Sequence, residues 1–292
     1  MLTDFGYRDP WVGIMKGVML GINPALQLID ITHEITPQSV REAAIVLSAA
    51  YRYFPPGTIF LIVVDPGVGG GRRALVAQAP PYAFIVPDNG VLGPVLDEGE
   101  GCRVTHVTNA VYFRAPVSRT FHGRDVFAPV AAWLSRGIDA STMGSLIDDY
   151  VRLELPQPRM LADRTLAGEV MYQDRFGNLI TNLSEAWVTR QWGDIPQGTV
   201  VAQLGEHVIE GLDAYYAQRP PGALGMLCNS WGVLGILCQS GPCWPADRYK
   251  RGNTHTGVAN ISLRKQATAA GMRTRLKQEE QRWQTMRVRR SW

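Results

Sequence analysis

The sequence predicts an α/β protein, with an N-terminal α/β domain that contains a largely parallel sheet and a smaller C-terminal all-β domain. Two observations lead to this fold class. Over residues 1–155, short apolar runs alternate with segments of helical periodicity, which is typical of a sheet covered by helices. After Pro156 and Pro158 the pattern changes to short β-like segments separated by turn residues, which predicts a second domain over 165–245 behind a linker.

The elements follow from local patterns. Thr36 and Pro37 are expected to begin a helix that runs to Tyr51, because a capping residue and a proline precede apolar residues at helical spacing. A second helix is predicted from Trp11, and a third over 125–135 with Asp125 as its N-cap. Apolar, β-branched runs predict strands at 26–31, 58–64, 74–77, 83–86, 168–172, 179–183, 200–204 and 224–228.

Composition excludes several classes of protein. The chain has 292 residues, of which 46% are apolar and 19% charged, a profile of globular proteins and not of collagen-like or disordered chains. A chain of this size buries about 75% of its unfolded surface, so it needs no metal or disulfide for stability. Its four cysteines form no CxxC pair and it has no long apolar run, so we expect a reduced, cytoplasmic protein without a membrane partner.

The positive charge is concentrated at the C-terminus. Residues 248–292 contain 12 Lys and Arg against 2 Asp and Glu, whereas residues 1–247 contain 17 against 24. A basic arm can neutralise phosphates, so nucleic-acid or membrane-surface binding is one interpretation. Because this segment has no interleaved aromatic platform and the body has no basic stripe, we interpret 246–292 as a divergent basic tail and expect no nucleic-acid partner.

Two aspartates lie where strands of the first domain are expected to end. Asp4 follows a very short first strand, and Asp65 follows a buried one. Ligands bind outside the carboxyl ends of the strands in open α/β sheets, so both carboxylates face one crevice if these strands are parallel. An acid before Pro-Gly is also a common turn former, and the residue types alone leave both interpretations of Asp65 open.

A glycine-rich run over 67–71 separates Asp65 from Arg72. It leads into a strand and lacks the GK[ST] ending of a P-loop, so it is a weak indication of a nucleotide triphosphate. We expect it to turn Arg72 back toward Asp65, where a guanidinium keeps a carboxylate ionised, although a surface arginine is the alternative. His122 stands at a helix entrance and His33 at a strand end, and a lone histidine is more often structural.

Two segments of the second domain have the composition of turns. Residues 174–178 (Asp-Arg-Phe-Gly-Asn) fit a hairpin turn, and residues 228–232 (Cys-Asn-Ser-Trp-Gly) fit a loop closed by an aromatic side chain. Composition alone assigns neither of them a function.

Taken together, these segments resemble the S-adenosyl-L-methionine (SAM) hydroxide adenosyltransferase family, also called adenosine-forming SAM hydrolases, which is related to fluorinases and chlorinases. The matching stretches, spread over residues 3–232, are TDFGYRDPWVGIMKGV, DITHEITPQ, FPPGTIFLIVVDPGVGGGRR, PDNGVL, TFHGRDVFAPVAA, DRFGNLITN and NSWG. The resemblance implies a C-terminal β-barrel domain, a homotrimer, and a SAM site between the N-terminal domain of one subunit and the C-terminal domain of its neighbour.

The resemblance also implies a reaction and the residues that serve it. Water or hydroxide attacks the ribose C5′ of SAM and gives adenosine and L-methionine, with no metal and no cofactor. The implied catalytic residues are Asp65, Arg72 and His122, and whether Asp65 or His122 takes the proton stays open. The implied substrate contacts are Asp4 with the ribose diol and Asp9 nearby, Asp174 with the methionine ammonium, Asn178 and Ser230 with the amino-acid end or the purine, and Tyr216 with the adenine.

Two other functions are compatible with these residues. One is a SAM-dependent halogenase, but halogenases related to this family lack the Asp-Arg-His set and fluorinases tend to carry a tryptophan in place of Gln38. The charge of Asp65 would also repel a halide. The other is a non-catalytic SAM or adenosine sensor whose basic tail binds nucleic acid, which an assay for adenosine and methionine distinguishes from a hydrolase.

The chain departs from the family pattern at both ends. The family has two or three more apolar residues before TDFG, so we expect a clipped first strand. Beyond Gly232 the expected strand becomes residues 233–238, and the remainder matches nothing, which indicates a shifted reading frame or a foreign extension from about residue 235. Such a break would cost the barrel a closing strand and expose a sheet edge.

Overall fold

The computed structural model describes residues 1–96, 101–193, 199–238 and 260–265. The chain divides into two compact units at Leu155 and Pro156. Of the predicted basic tail, residues 246–259 and 266–292 lie outside the described residues, and residues 260–265 form a strand of the second unit.

The first unit is built on a six-stranded mixed sheet. Its pairing is parallel between β1 and β2 and between β2 and β4, and antiparallel elsewhere. Only two residues join β3 to β4, a connection that an antiparallel hairpin can span and a parallel crossover cannot. The α/β class is confirmed, and its parallel part carries Asp4 and Asp65. The strands, in the order β1-β2-β4-β3-β5-β6, are β1 (Leu2–Thr3), β2 (Ile59–Val63), β3 (Ala74–Ala79), β4 (Tyr82–Pro87), β5 (Arg103–Val107) and β6 (Gly144–Ile147).

Helices cover both faces of this sheet. Phe60 and Ile62 of β2 belong to one buried cluster and Leu61 and Val63 to another, as expected for successive side chains that point to opposite faces. Because both faces are covered, β2 is an almost continuous apolar run. The helices of the first unit are α1 (Trp11–Ile22) and α4 (Ala128–Ser135) on the face of Leu61, α2 (Val40–Ala50) on the face of Phe60, and the short α3 (Gly93–Leu96).

Three local predictions for the first unit are wrong. Residues 26–31 form no strand in the described structure, because β1 has only two residues and pairs beyond β2 only through a bridge from Leu2 to Thr32. The N-cap of α2 is Ser39, whose hydroxyl accepts from the Glu42 N–H, and not Thr36, because a turn over 36–39 comes first. Asp125 caps no helix.

A π-helical turn over Gly123–Phe127 precedes α4 and places Asp125 inside the protein. Its carboxylate is fully buried and accepts from the Ser118 N–H at 2.8 Å and from Arg124 Nε at 2.6 Å. Such turns insert one extra residue into a helix and are frequent at functional sites. The predicted helix therefore begins with a distorted turn that holds an ion pair between the buried Asp125 and the partly exposed Arg124.

The second unit is an antiparallel, nearly closed barrel. The ends of its strand path, β11 and β12, meet where the Asp213 N–H donates to the Met226 carbonyl at 2.7 Å. This confirms the C-terminal β-barrel. The strands are β7 (Arg159–Met160), β8 (Leu166–Gln173), β9 (Leu179–Ser184), β10 (Val200–Leu204), β11 (His207–Glu210), β12 (Leu224–Cys228), β13 (Val233–Cys238) and β14 (Asn260–Lys265), with the order β11-β10-β14-β8-β9-β13-β12, β7 beside β8, and α5 (Glu185–Trp192) after β9.

The barrel does not lose a closing strand after Gly232. β13 pairs with β9 and β12, and β14 lies between β8 and β10. Ile261 and Leu263 alternate along β14 and are buried in the barrel core, which is why this short segment pairs there. The expectation that the barrel loses a strand beyond about residue 235 is therefore wrong for the described residues.

The structure describes three of the four cysteines. Cys102 and Cys228 are free thiols, but Cys238 is disulfide-bonded, so the expectation that all cysteines are reduced is wrong. The lack of a CxxC pair excludes a disulfide with that spacing and no other.

None of the helices in the described ranges combines the length and the apolar composition that a membrane span requires.

Candidate active site

The first site residue stands directly after the parallel strand β2. Asp65 follows Val64, and its side chain is 5% exposed. Both carboxylate oxygens contact the guanidinium of Arg72: Nε donates to Oδ1 at 2.8 Å and Nη2 donates to Oδ2. The pair is bidentate, the strong form of a carboxylate–guanidinium contact. The prediction that the glycine-rich loop returns Arg72 to Asp65 is confirmed by this contact.

The Arg72 guanidinium is fixed on its other sides as well. It donates from Nη1 to the Arg73 carbonyl at 3.1 Å and lies 5.0 Å from the centre of the Phe127 ring. Its side chain is 9% exposed. The aromatic face and the buried carboxylate together stabilise this cation in one orientation.

His122 completes the cluster from the turn before α4. Its Nδ1 lies 3.2 Å from Nη2 of Arg72. A guanidinium can only donate, so Nδ1 is the acceptor and the neutral ring carries its proton on Nε2. Burial lowers the pKa of His122, and the positive charge of Arg72 lowers it further, while the carboxylates of Asp65 and Asp125 act in the opposite direction. We therefore treat His122 as a neutral imidazole.

The glycine loop between Asp65 and Arg72 has a tight tertiary contact. Gly69 has a φ of +77°, and a Cβ there would collide with the carbonyl of Arg119. Arg119 lies in the segment that leads to His122. A glycine at this position therefore lets the two segments that carry the site lie against each other.

Asp4 lies close enough to Asp65 for the two charges to interact. Burial raises the pKa of Asp4, the Gln38 N–H opposes this shift, and the charge of Asp65 raises the pKa further. The Gln38 N–H donates to Asp4 Oδ2 at 2.7 Å. Gln38 adopts a φ of 66°, a left-handed conformation that non-glycine residues keep mainly where the surroundings enforce it. The Asp4 carboxylate is thus held near the Asp65 cluster, as the sequence predicted for parallel strands.

Three site residues of the second unit form their own cluster. The Asp174 carboxylate accepts from the Asn178 N–H at 2.9 Å and from Asn178 Nδ2 at 2.7 Å, and Asn178 is buried. Burial raises the pKa of Tyr216, and the negative charge of Asp174 adds to this shift, which places the two side chains near each other. The turn interpretation of 174–178 also holds, since the Asp174 N–H donates to the Asn178 carbonyl.

Two further predicted substrate contacts, Asp9 and Ser230, have exposed side chains. Asp9 is exposed just before α1, and no hydrogen bond or ion pair joins it to the Asp65 cluster in the described part of the chain. Ser230 is exposed in the turn between β12 and β13, a turn that Asn229 holds by accepting from the Trp231 N–H at 2.9 Å.

Sequence reasoning missed Asn89, and it used Gln38 only to distinguish fluorinases, without its contact to Asp4. Asn89 donates from Nδ2 to the Val64 carbonyl at 2.8 Å and so fixes the end of β2 just before Asp65. Gln38 holds Asp4 with its backbone N–H and not with its side chain. Asn89 lies in the stretch PDNG and Gln38 in the stretch ITPQ. A contact that a backbone N–H makes, or that a carbonyl accepts, cannot be recognised from the residue types in the sequence.

The fold and the site define a class of enzyme: an α/β domain with a paired carboxylate, guanidinium and imidazole at the carboxyl edge of its parallel strands, followed by a β-barrel domain. The N-terminal domain pattern of the SAM hydroxide adenosyltransferases matches residues 1–144, and their C-terminal domain pattern matches residues 168–272. The chain therefore belongs to the SAM hydroxide adenosyltransferase family. The match through residue 272 speaks against a foreign extension from about residue 235.

Individual relatives agree with this family. The "(R)-S-adenosyl-L-methionine hydrolase" of Thermus thermophilus is 37% identical over 224 residues, which are 70% of this chain and 86% of that protein. A fluorinase of Actinoplanes sp. is 29% identical over 208 residues, 62% of this chain and 70% of its own length. The crystal structure of an uncharacterized conserved protein from Thermotoga maritima superposes with a TM-score of 0.80 at 33% identity and covers 90% of this chain and 98% of that one.

Proposed function

We propose that this protein hydrolyses SAM to adenosine and L-methionine by attack of water or hydroxide at the ribose C5′. The observation that carries the proposal is the buried bidentate pair of Asp65 and Arg72 with the His122 imidazole 3.2 Å from the same guanidinium. Methionine leaves a sulfonium as a neutral thioether, so the leaving group needs no acid and the reaction needs no cofactor. Water, with a pKa of about 15.7, is the reactant that needs activation.

Asp65 is the proton acceptor in this proposal. The lone pair of His122 Nδ1 faces Arg72, so the ring offers the water no free acceptor on that nitrogen. Each oxygen of Asp65 keeps a second lone pair after its bond to Arg72. Arg72 offsets the negative charge that develops on the attacking oxygen, and a buried, preformed cation needs little rearrangement to do so.

The remaining polar clusters would bind the substrate. Asp4 is assigned to the ribose diol, since a carboxylate has a second acceptor oxygen besides the Oδ2 that accepts from Gln38. Asp174 is assigned to the methionine ammonium, Asn178 and Ser230 to the amino-acid end or the purine, and Tyr216 to the adenine. Asp9 is a second candidate beside Asp4. The close pairing of Asp174 with Asn178 supports a preformed polar pocket in the second unit.

The relatives named (R)-S-adenosyl-L-methionine hydrolase suggest a preference for one configuration of the sulfonium. The test is to incubate the full chain with each sulfonium epimer, separately, and to quantify adenosine and methionine. We expect stoichiometric release of both products, faster from the (R) epimer, and loss of turnover in Asp65→Asn. Parallel reactions with fluoride or chloride report any 5′-halo-5′-deoxyadenosine, which would identify a halogenase, and binding without turnover would identify a sensor.

A homotrimer is part of the proposal. Large aromatic side chains are exposed beside the candidate residues of both units: Trp11 is 43% exposed in the first, and Phe176 is 80% exposed in the second. Aromatic side chains are enriched at protein interfaces relative to the rest of the surface. We expect sedimentation equilibrium to give three chains per particle and Phe176→Glu to give monomers. Tyr53→Glu is the matched control, because Tyr53 is also exposed but precedes β2 at the end opposite Asp65. A cytoplasmic location stays a prediction.

A further inference from the structure

His33 is a fully buried histidine that the proposed reaction does not use. It lies in the segment after Asp30 and has no exposed surface. Its Nδ1 is 2.8 Å from the hydroxyl of Thr3, and its Nε2 is 3.0 Å from Oδ1 of Asp30. Lys16 Nζ donates to the other oxygen of Asp30 at 2.6 Å. These four side chains form one polar chain that ends at β1.

The protons in this chain can be assigned from its ends. Burial raises the pKa of Asp30, but hydrogen bonds from Lys16 and His33 outweigh that effect and the net shift is downward, so Asp30 is ionised. An ionised carboxylate has no proton to give, and His33 Nε2 therefore carries the ring proton. Neither Nε2 nor Oδ1 has another hydrogen-bond partner among the residues that the structure describes.

His33 Nδ1 is consequently an acceptor, and the Thr3 hydroxyl donates to it. The same hydroxyl accepts from the Phe5 N–H at 3.2 Å. Burial lowers the pKa of His33 and keeps the ring neutral, which this arrangement requires. The side chain of Thr3 can thus make both bonds at once only when His33 presents an unprotonated Nδ1.

The polar chain that starts at Lys16 reaches the two residues on either side of Asp4. Thr3 precedes Asp4 and Phe5 follows it, and both take part in the bonds to the Thr3 hydroxyl. A backbone hydrogen bond also joins the two segments, since the Gly6 N–H donates to the His33 carbonyl at 2.7 Å. With Oδ2 of Asp4 held by Gln38, the position of Oδ1 depends on how firmly these neighbours are held.

We propose that His33 is a positioning residue for Asp4: through the Thr3 hydroxyl it fixes the Asp4 carboxylate to receive a ribose diol. The proposal rests on the proposed function only for the assignment of Asp4 to the diol. His33 touches no ligand in this scheme, and its contribution is the fixed geometry of the turn from Thr3 to Phe5.

The test measures discrimination between two nucleosides and not turnover. Dissociation constants of adenosine and 2′-deoxyadenosine are measured by calorimetry with the full chain. A hydrogen bond to a carboxylate favours a ligand with the hydroxyl by about tenfold or more, so the wild-type protein is expected to prefer adenosine by at least that ratio. Asp4→Asn is expected to reduce the ratio to below about threefold.

Two substitutions of His33 separate its two contacts. In His33→Asn the amide oxygen can take the place of Nδ1 and accept from Thr3, whereas in His33→Gln the longer amide reaches toward Asp30 and leaves Thr3 unpaired. We expect His33→Asn to keep most of the preference for adenosine and His33→Gln to lose it, to below about threefold. Thr3→Val, which keeps the shape and removes the hydroxyl, is expected to behave as His33→Gln does.

Val104→Ala controls for general loss of stability. Val104 is buried in β5, which three strands separate from β1 in the sheet. This variant therefore destabilises the same unit without a change in the polar chain. An unchanged preference in His33→Gln, an equal loss in Val104→Ala, or equal wild-type affinity for the two nucleosides would overturn the inference. A preference that depends on His33 in a protein without SAM turnover would uphold the inference and refute the proposed hydrolysis.

Discussion

Nη2 of Arg72 lies 3.2 Å from Nδ1 of His122, so a permanent cation faces the acceptor nitrogen of the imidazole. Protonation of that nitrogen would replace an attractive contact by a repulsive one between two positive charges. The site therefore holds together only with a neutral His122, and this requirement fixes how the proposed activity depends on pH.

The first prediction is an acidic limb in the pH profile. The pKa of His122 is lowered from its ordinary value of 6.5, so the imidazole stays neutral somewhat below pH 6.5 and becomes protonated at lower pH. We expect kcat/KM to be constant near neutral pH and to fall as the pH drops through the lowered value. His122→Asn, which cannot be protonated, should lack this limb. The measurement is kcat/KM from about pH 5 to 8 in buffers of constant ionic strength.

The same shift predicts a change in stability. Between the lowered pKa of folded His122 and the ordinary 6.5 of the unfolded chain, the unfolded state binds more protons. The free energy of unfolding should therefore fall as the pH drops below about 6.5, and His33, whose pKa is also lowered, contributes in the same direction. Urea titrations at about pH 7.5 and 5.5 test this, and a stability that rises on acidification would contradict both assignments.

The third prediction concerns Asp65→Asn. The amide keeps one oxygen for Arg72 Nε but cannot accept the water proton, so we expect kcat to fall by about 10²- to 10⁴-fold while adenosine affinity stays within about threefold. Asp149→Asn is the matched control, because Asp149 also pairs with an arginine, Arg73, but is 72% exposed. Equal losses of kcat in both variants would contradict a role of Asp65 as the base.

A fourth prediction separates stability from activity. Arg72→Met leaves the Asp65 carboxylate buried without its partner, which we expect to cost about 3 to 5 kcal/mol of unfolding free energy. Replacing both residues, as Arg72→Met with Asp65→Leu, removes the unpaired charge and should restore most of that stability. Activity should be absent in both proteins. Chemical denaturation of the three proteins checks the cycle, and a double variant no more stable than Arg72→Met would contradict it.

Sequence patterns predicted well those elements whose own side chains decide their structure. Strands β10 and β12 have the predicted bounds, and β2 differs by one residue at each end, because apolar runs between turn residues specify a buried strand. Charge and loop length allowed two interpretations of Arg72, a pair with Asp65 or a surface arginine, and the structure shows the pair. The family resemblance was needed to add His122, since 50 residues separate it from Arg72.

Predictions failed where a distant partner decides the local structure. Residues 26–31 have the composition of a strand, but β1 offers only two residues to pair with. Asp125 has the position of an N-cap, but Arg124 and the Ser118 N–H hold it inside the protein. The role of Gln38 depends on its backbone N–H and a positive φ, and the residue type glutamine predicts neither of these properties.

The last prediction tests the glycine loop that joins Asp65 to Arg72. In Gly69→Ala the new Cβ would meet the Arg119 carbonyl, and the φ of +77° disfavours any side chain, so the loop and the segment before His122 must move apart. We expect a loss of about 1 to 3 kcal/mol in unfolding free energy and at least about a hundredfold lower kcat, because small displacements of reacting groups are costly.

Gly71→Ala is the matched control two residues away. Apart from its two chain neighbours, a Cβ at Gly71 would have no atom of the described residues within 4 Å, and the backbone there has no positive φ. A methyl group therefore projects into open space. We expect wild-type stability within about 0.5 kcal/mol. If Gly69→Ala were as active and as stable as Gly71→Ala, the close approach of the loop to Arg119 would have no part in aligning Arg72 with His122, and the two segments would have to reach their arrangement independently.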